Sequence, residues 1–296
     1  MSFIYWQPIQ ENMELGLANT TAAVRDVLDA VTANVINMNF KFKPGFKIGL
    51  GGSFSHDNWD TLLEYTWFHN TNSQSSDGPS GGNIIPMIGA PASTGDSLYS
   101  SVSENWRLKM DIIDLDLGRW YYVGTNLMFR PSFGVRADWI RQRLVFNGVS
   151  ATDEGEVYSK SSSWAIGPMA ALDSSWNIGC GFRIFGNAET DLLFTKYTRL
   201  RYNETHTNVD LIPISVKQSH VYAIRPHFDL ELGLGWGTYL DCNNWYLDFK
   251  AGYEMQAFLF QNMFRHFSSA TMAGNSASPY GNLYIQGLTA TASVDF

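Results

Sequence analysis

Apolar and polar residues alternate with a period of two along much of this 296-residue chain, the pattern of strands whose two faces meet different surroundings. Between 40 and 54, Phe40, Phe42, Pro44, Phe46, Ile48, Leu50 and Phe54 share one face. Lys41, Lys43, Lys47, Ser53 and three glycines share the other. The pattern returns at 127–139, where Leu127, Phe129, Pro131, Phe133, Val135, Ala137 and Trp139 oppose Arg130, Ser132, Gly134, Arg136 and Asp138. It is cleanest at 222–236, which sets Tyr222, Ile224, Pro226, Phe228, Leu230, Leu232, Leu234 and Trp236 against Arg225, His227, Asp229 and Glu231. At 245–259, Trp245, Leu247, Phe249, Ala251, Tyr253, Met255 and Leu259 oppose Asp248, Lys250, Glu254 and Gln256. Tyr or Trp often begins or ends an apolar row, as in the aromatic girdles of membrane proteins.

Placing every such run predicts about ten strands, with twelve allowed by the pattern. They fall near 3–17, 40–54, 59–69, 106–123, 127–146, 163–173, 180–202, 210–236, 245–260 and 282–296. The connections 18–39, 70–105, 147–162, 203–209 and 261–281 are expected to be long or loose. Those at 55–58, 124–126, 174–179 and 237–244 are expected to be short. Long connections alternating with short ones, with 203–209 as a partial exception, match a barrel with external loops and periplasmic turns. An even strand count places both termini on the periplasmic side. Pro44, Pro131, Pro168 and Pro226 lie on apolar faces and predict bulges or kinks, since a proline cannot donate to a ladder. One stretch breaks the pattern. In 19–36, Val24, Val27, Leu28, Val31 and Val35 recur at helical spacing behind Asn19 or Thr20, which predicts a short helix in the first external loop. It could cross the mouth or plug the lumen. In loop 70–105, IIPMIGAP is apolar enough to enter the lumen or touch a partner.

Composition narrows the classes. Charged residues are 16% of the chain and aromatics 15%, which excludes disorder. No run of about 18 apolar residues exists for a transmembrane helix. A net charge of -8 argues against nucleic acid. The expectation is all-β: a single transmembrane antiparallel β-barrel over 1–296, in contact with outer-membrane lipid. The N-terminus lacks a basic region before an apolar core, and is expected to be that of a mature chain. Cys180 and Cys242 lack metal-ligand spacing; they are either bridged or two buried thiols.

The final strand, NLYIQGLTATASVDF, ends on Phe296 in phase with its apolar face, like the signal read by the barrel-assembly machinery. FIYWQPIQENMELGL, FKFKPGFKIGLGGSF with WDTLLEYTWFH, DIIDLDLGRWYYV and LMFRPSFGVRADWIRQRL together resemble the Legionella-type and chlamydia-related major outer membrane protein family. The resemblance spans nearly the whole chain and implies a pore-forming barrel in the bacterial outer membrane. Cysteine-rich members of the chlamydial group build cross-linked envelopes, which two cysteines cannot sustain.

Projected inward, the strands supply candidate pore-lining residues of both signs: Lys41, Lys43, Lys47, Glu64, Arg130, Arg136, Asp138, Arg183, Glu189, Arg225, Asp229, Glu231, Asp248, Lys250 and Glu254, with Asp60, Asp114, Asp116, Asp191 and His227 beside them. They either set the preference of a conducting pore or pair with one another in a filled interior. Ten strands tilted by about 40° leave a backbone radius of roughly 10 Å, most of which side chains occupy. No cofactor or metal is implied, and no catalytic residue. The motifs GxSxG and HExxH are absent, and His69, His206 and His220 have no evident Asp partner. An outer-membrane protease, or an adhesive or structural envelope protein, are the alternatives to a porin-like channel. Oligomeric state is not legible in one chain, and a homo-oligomer stays open.

Overall fold

A computed structural model describes residues 1–19, 33–54, 57–89, 98–151, 153–207, 213–242, 244–267 and 276–296. Ten long antiparallel strands form its wall: β1 Ser2–Gln10, β2 Lys43–Ser53, β3 Trp59–Asp77, β4 Ser101–Arg119, β5 Leu127–Val149, β6 Glu154–Gly179, β7 Phe182–His206, β8 Val221–Leu240, β9 Trp245–Asn262 and β10 Gly281–Asp295. Each pairs with its neighbours in sequence, and β1 pairs with β10 from Ser2↔Thr291 to Gln10↔Leu283. The sheet therefore closes on itself as a barrel with no free edge.

The alternation predicted from sequence holds on the outer face. Phe133, Ile224, Leu232 and Leu234 are each more than half exposed, and 43 large hydrophobics among the described residues are exposed, far more than a water-facing exterior carries. At the short-turn end the band is rimmed by exposed Tyr121, Tyr122, Trp176, Trp245 and Phe182. Phe296 there is almost fully exposed and lies 5.5 Å from Trp245, ring centre to ring centre.

Several boundaries differ from the sequence reading. Segment 3–17 divides into β1 and a separate strand, Glu14–Asn19. Segment 210–236 divides into a short strand, Ile214–Gln218, and β8. Strands β3 to β7 run well past their predicted ends, so the connection expected at 147–162 shrinks to 150–153. The prolines do not mark bulges: Pro44↔Tyr5, Pro131↔Leu172, Pro168↔Val135 and Pro226↔Leu192 all lie in continuous register. Each costs one N–H donor at an outward position. Register shifts occur instead at Ser162/Ser163, at Asn177/Gly179 and between Phe258 and Asn262. No helix occurs among the described residues. Of the stretch 19–36, Asn19 and 33–36 are in strands, and 20–32 lie outside the described residues.

Those strands belong to a second, three-stranded sheet, with Glu14–Asn19 between Ala33–Asn37 and Asn83–Pro86. It draws on both long connections of the N-terminal third. Cys180 and Cys242 are free and exposed in turns, which corrects both alternatives: neither is bridged and neither is buried. The β6–β7 turn is Cys180–Gly181, with φ of 52° and 81°, the paired positive values that a two-residue hairpin favours. A Cβ on Gly181 would stand 2.3 Å from the Gly237 carbonyl oxygen. Gly181→Val should therefore lower stability in detergent by more than about 1 kcal/mol, whereas Cys180→Asn, a residue suited to positive φ, should leave it within about 0.5 kcal/mol. Urea unfolding of the two variants in micelles checks this.

Candidate functional site

The lumen is the candidate site, and it has two layers. Toward the short-turn end its lining is charged. Arg130 on β5 donates from Nε to Asp60 at 2.7 Å, from Nη2 to Asp116 at 2.5 Å and from Nη1 to Asp173 at 3.0 Å. This gathers β3, β4 and β6 around one guanidinium. Gly118 permits it, because a Cβ there would lie 2.6 Å from the Arg130 Cζ. Nearby, Arg183 donates to Asp248 at 2.5 and 2.6 Å, and Lys250 stands 3.8 Å from the same carboxylate.

Higher up, Arg136 makes a bidentate contact with Asp114 at 2.6 and 2.8 Å. It also reaches Glu189 at 2.6 Å and Asp191 at 3.0 Å on β7, and lies 2.7 Å from His227 Nδ1 on β8. Because β6 lies between β5 and β7, these contacts are chords across the interior. Lys47 on β2 spans the other side, meeting Glu254 on β9 at 2.9 Å and Glu64 on β3 at 3.6 Å. Thr289 and Gln256 each donate to Glu254 at 2.6 Å. Ligand atoms of Glu189, Asp191 and His227 lie within 4.8 Å of one another, a spacing suited to a metal ion. The guanidinium of Arg136 already sits among them, so the cluster is read as a cradle for that side chain.

The other sequence-derived candidates distribute as follows. Asp138 and Asp229 each keep one buried carboxylate oxygen without a hydrogen-bond partner. Glu231 accepts from Asn187 at 3.1 Å. Arg225 stands apart, its guanidinium over the rings of Tyr280, Tyr197 and Phe260 at 5.0, 5.7 and 6.0 Å. Lys43 is half-buried at the start of β2 opposite Trp6. Lys41 is exposed, lies outside the strand and joins no cluster.

Above the charges the lumen becomes apolar, a layer that the sequence reading missed. Ile4, Trp6, Phe68, Trp106, Leu108, Met110, Ile112, Ile140, Leu144, Phe146, Phe258, Leu283 and Ile285 point inward and are buried. Leu15 and Ile84 of the three-stranded sheet, with Met13, Met38 and Ile88 beside it, complete one continuous core with them. IIPMIGAP thus enters the lumen through Ile84 and Ile88, one of the two roles its sequence suggested; its residues 90 and 91 lie outside the described residues.

At the external rim the structure supplies a pairing that sequence spacing did not show. His206 Nδ1 lies 2.7 Å from Asp153 and its Nε2 lies 3.2 Å from Glu204. Tyr99 is close by, and burial followed by the charges of Asp153 and Glu204 pushes its phenol pKa up to about 12. A cleft of about 380 Å³ opens beside His206, bordered by Asn147, Glu154, Glu156 and Thr205. A carboxylate oxygen thus stands against each ring nitrogen of His206.

A closed antiparallel barrel with an apolar exterior, aromatic rims and an internally paired polar lining defines an outer-membrane β-barrel protein. The family described as Legionella pneumophila major outer membrane protein precursor matches residues 1–296, so the chain belongs to that family and resides in the bacterial outer membrane. No curated protein matches. Solved structures that match include the Vibrio cholerae outer membrane protein OmpT in trimer form, at 7% identity over 98% of both chains with a TM-score of 0.18. A TodX deletion mutant, a monoaromatic hydrocarbon channel, matches at 7% identity over 99% of this chain and 90% of the other, with a TM-score of 0.23. At these scores the backbones do not superpose, and nothing about this chain follows from them.

Removing one partner of a buried charge pair strands the other, at a cost of about 3–5 kcal/mol. Arg136→Ala should destabilise the barrel on that scale, while Lys250→Ala, more than a third exposed and 3.8 Å from its partner, should change stability by under about 0.5 kcal/mol. Denaturant titration of both proteins in the same detergent makes the comparison.

Proposed function

We propose that the chain is a porin-like channel for small solutes or ions whose described conformation is closed, the apolar layer acting as the seal. One observation carries this reading: the described residues put a continuous hydrophobic core across the external half of the lumen, with Trp6, Trp106 and Phe68 fully buried within it. A hydrophobic constriction excludes water and ions even where side chains leave narrow gaps. The seal has a movable construction. Its three-stranded sheet forms a ladder separate from that of the wall, tied by one backbone bridge from Ile84 to Tyr99, just ahead of β4, so it can shift while the barrel ladder stays intact. Once it shifts, the paired charges beneath become the lining that solutes pass.

A permanently filled envelope barrel is the second reading, favoured by the chords that Arg136 and Lys47 draw across the interior. No catalytic role is proposed, because His206 is held at both nitrogens. Planar-bilayer recording separates the two readings. The native chain should show rare brief openings, and Leu15→Asp with Ile84→Asp, which places unpaired charges in the seal, should give steady conductance. In that opened variant Arg130→Glu should move the reversal potential toward cation preference. Silence from both the native chain and the seal variant would leave the filled barrel as the function; steady low-voltage conductance of the native chain would show that the apolar layer does not close it.

A further inference from the structure

The outer face of β4 to β7 carries a feature that neither the fold nor the lumen requires. Arg107 on β4 pairs in register with Arg143 on β5, Arg143 with Lys160 on β6, and Lys160 with Arg201 on β7. Arg201 pairs in turn with Lys217 on the short strand Ile214–Gln218. Five cations thus stand directly opposite one another across five strands, a row of roughly 20 Å at about 4.8 Å per strand. Their chain neighbours Trp106, Leu108, Leu144, Ser159, Ser161, Leu200 and Tyr202 are buried in the lumen, which fixes the cations on the outside.

One step toward the barrel's middle, Lys109 lies opposite Arg141, and Ser162 lies between Arg141 and Arg199. One step further, Trp139 lies opposite Trp164. Two aromatic side chains paired at that level mark where hydrocarbon gives way to headgroups. Trp139 follows the apolar positions Phe133, Val135 and Ala137 of the same outward row. The basic rows therefore sit at headgroup level on the long-loop side, in the external leaflet.

Like charges placed directly opposite on neighbouring strands repel, and among the described residues no ion pair relieves the row Arg107–Arg143–Lys160–Arg201–Lys217. Four guanidinium groups, those of Arg199, Arg143, Arg201 and Arg141, act on the Lys160 ammonium. Only Arg141 has an ion pair among the described residues, with Asp111 at 2.8 Å. Arg143 has the Tyr158 ring beneath it at 5.4 Å. The remaining acids on this face, Glu154 and Glu156, lie nearer the rim than the rows. An arrangement that raises the protein's own energy, at headgroup height and with its donors free, is complementary to clustered anions in the lipid. Arginine presents a planar fork of donors that matches phosphate oxygens.

We propose that this face binds the phosphate groups of a phosphorylated glycolipid in the external leaflet of the outer membrane. Its occupant is a lipid headgroup, held by the Arg107–Arg143–Lys160–Arg201–Lys217 row with its acyl chains against Trp139 and Trp164.

The test is native mass spectrometry of the full chain in neutral detergent, titrated with diphosphorylated lipid A and with the same lipid stripped of phosphate, alongside thermal melting. The native chain should retain the diphosphorylated form at least about tenfold better than the stripped form, with retention falling as salt rises. R143Q/K160Q/R201Q should lose that preference by about tenfold or more, whereas Arg119→Gln, which removes one charge at the opposite end of the wall, should keep it. In detergent without lipid the triple variant should melt at or above the native temperature, because repulsion has been relieved, and lipid A should no longer raise it. If the triple variant does not fold, Arg143→Gln alone is read for a smaller drop in the same ratio. Equal retention of both lipids, unchanged retention by the folded variants, displacement by millimolar inorganic phosphate, or tighter binding of a sulfated glycan than of lipid A would each overturn the proposal.

Discussion

Everything in this molecule depends on closing a ladder of backbone hydrogen bonds where no water can substitute for them. In hydrocarbon an unpaired N–H or C=O costs several kcal/mol, so the pairing of β1 with β10 is the constraint from which the rest follows. Closure with ten strands fixes a narrow interior. Inward side chains from opposite walls then have to meet, and in the lower half they do so as Arg136 with Glu189, Asp191 and His227, and as Lys47 with Glu254. The charges cannot reach bulk water there, so they pair with each other. Where the wall rises past the membrane the same narrow interior is filled with Trp6, Phe68 and Trp106 instead.

The rule read from the sequence, apolar toward lipid and polar toward the lumen, is right for the membrane band and reverses above it. On β4 the change happens within one strand. Asp114 and Asp116 face inward while Ile113 and Leu115 face out. A few residues earlier Trp106, Leu108 and Met110 face inward while Arg107 and Lys109 face out. Along this strand the period stays at two and the phase does not slip; only the surroundings of each face exchange. That is why the ten strands, their connection order and most of the inward charges were legible. It is also why 70–77 and 147–162 read as loops: their polar outward residues resembled exposed connections, although Asn70, Asn72, Phe146 and Val157 beside them are buried.

The end of the helix predicted at 19–36 shows a different limit, its residues 20–32 lying outside the described residues. Strand pairing with residues far along the chain is invisible to local spacing, and 33–37 is drawn into a sheet whose other members lie at 14–19 and 83–86. The Asp153–His206–Glu204 contact was hidden for the same reason, since it joins β7 to the connection before β6. Arg225 was correctly placed inward, yet its aromatic surroundings depend on Tyr280 in a connection far ahead of it. Residue type and phase located these groups, and only the closed register decided their neighbours.

The three strands of the inner sheet all come from the first 86 residues of the chain, while the seam that closes the wall joins residues 289 positions apart at Ser2 and Thr291. The apolar core around that sheet draws on both ends of the chain, Leu15 and Ile84 from one and Phe258, Leu283 and Ile285 from the other. The contents of the barrel and its last staves therefore share one packing, and the sheet lacks part of its apolar surroundings until the hoop is closed.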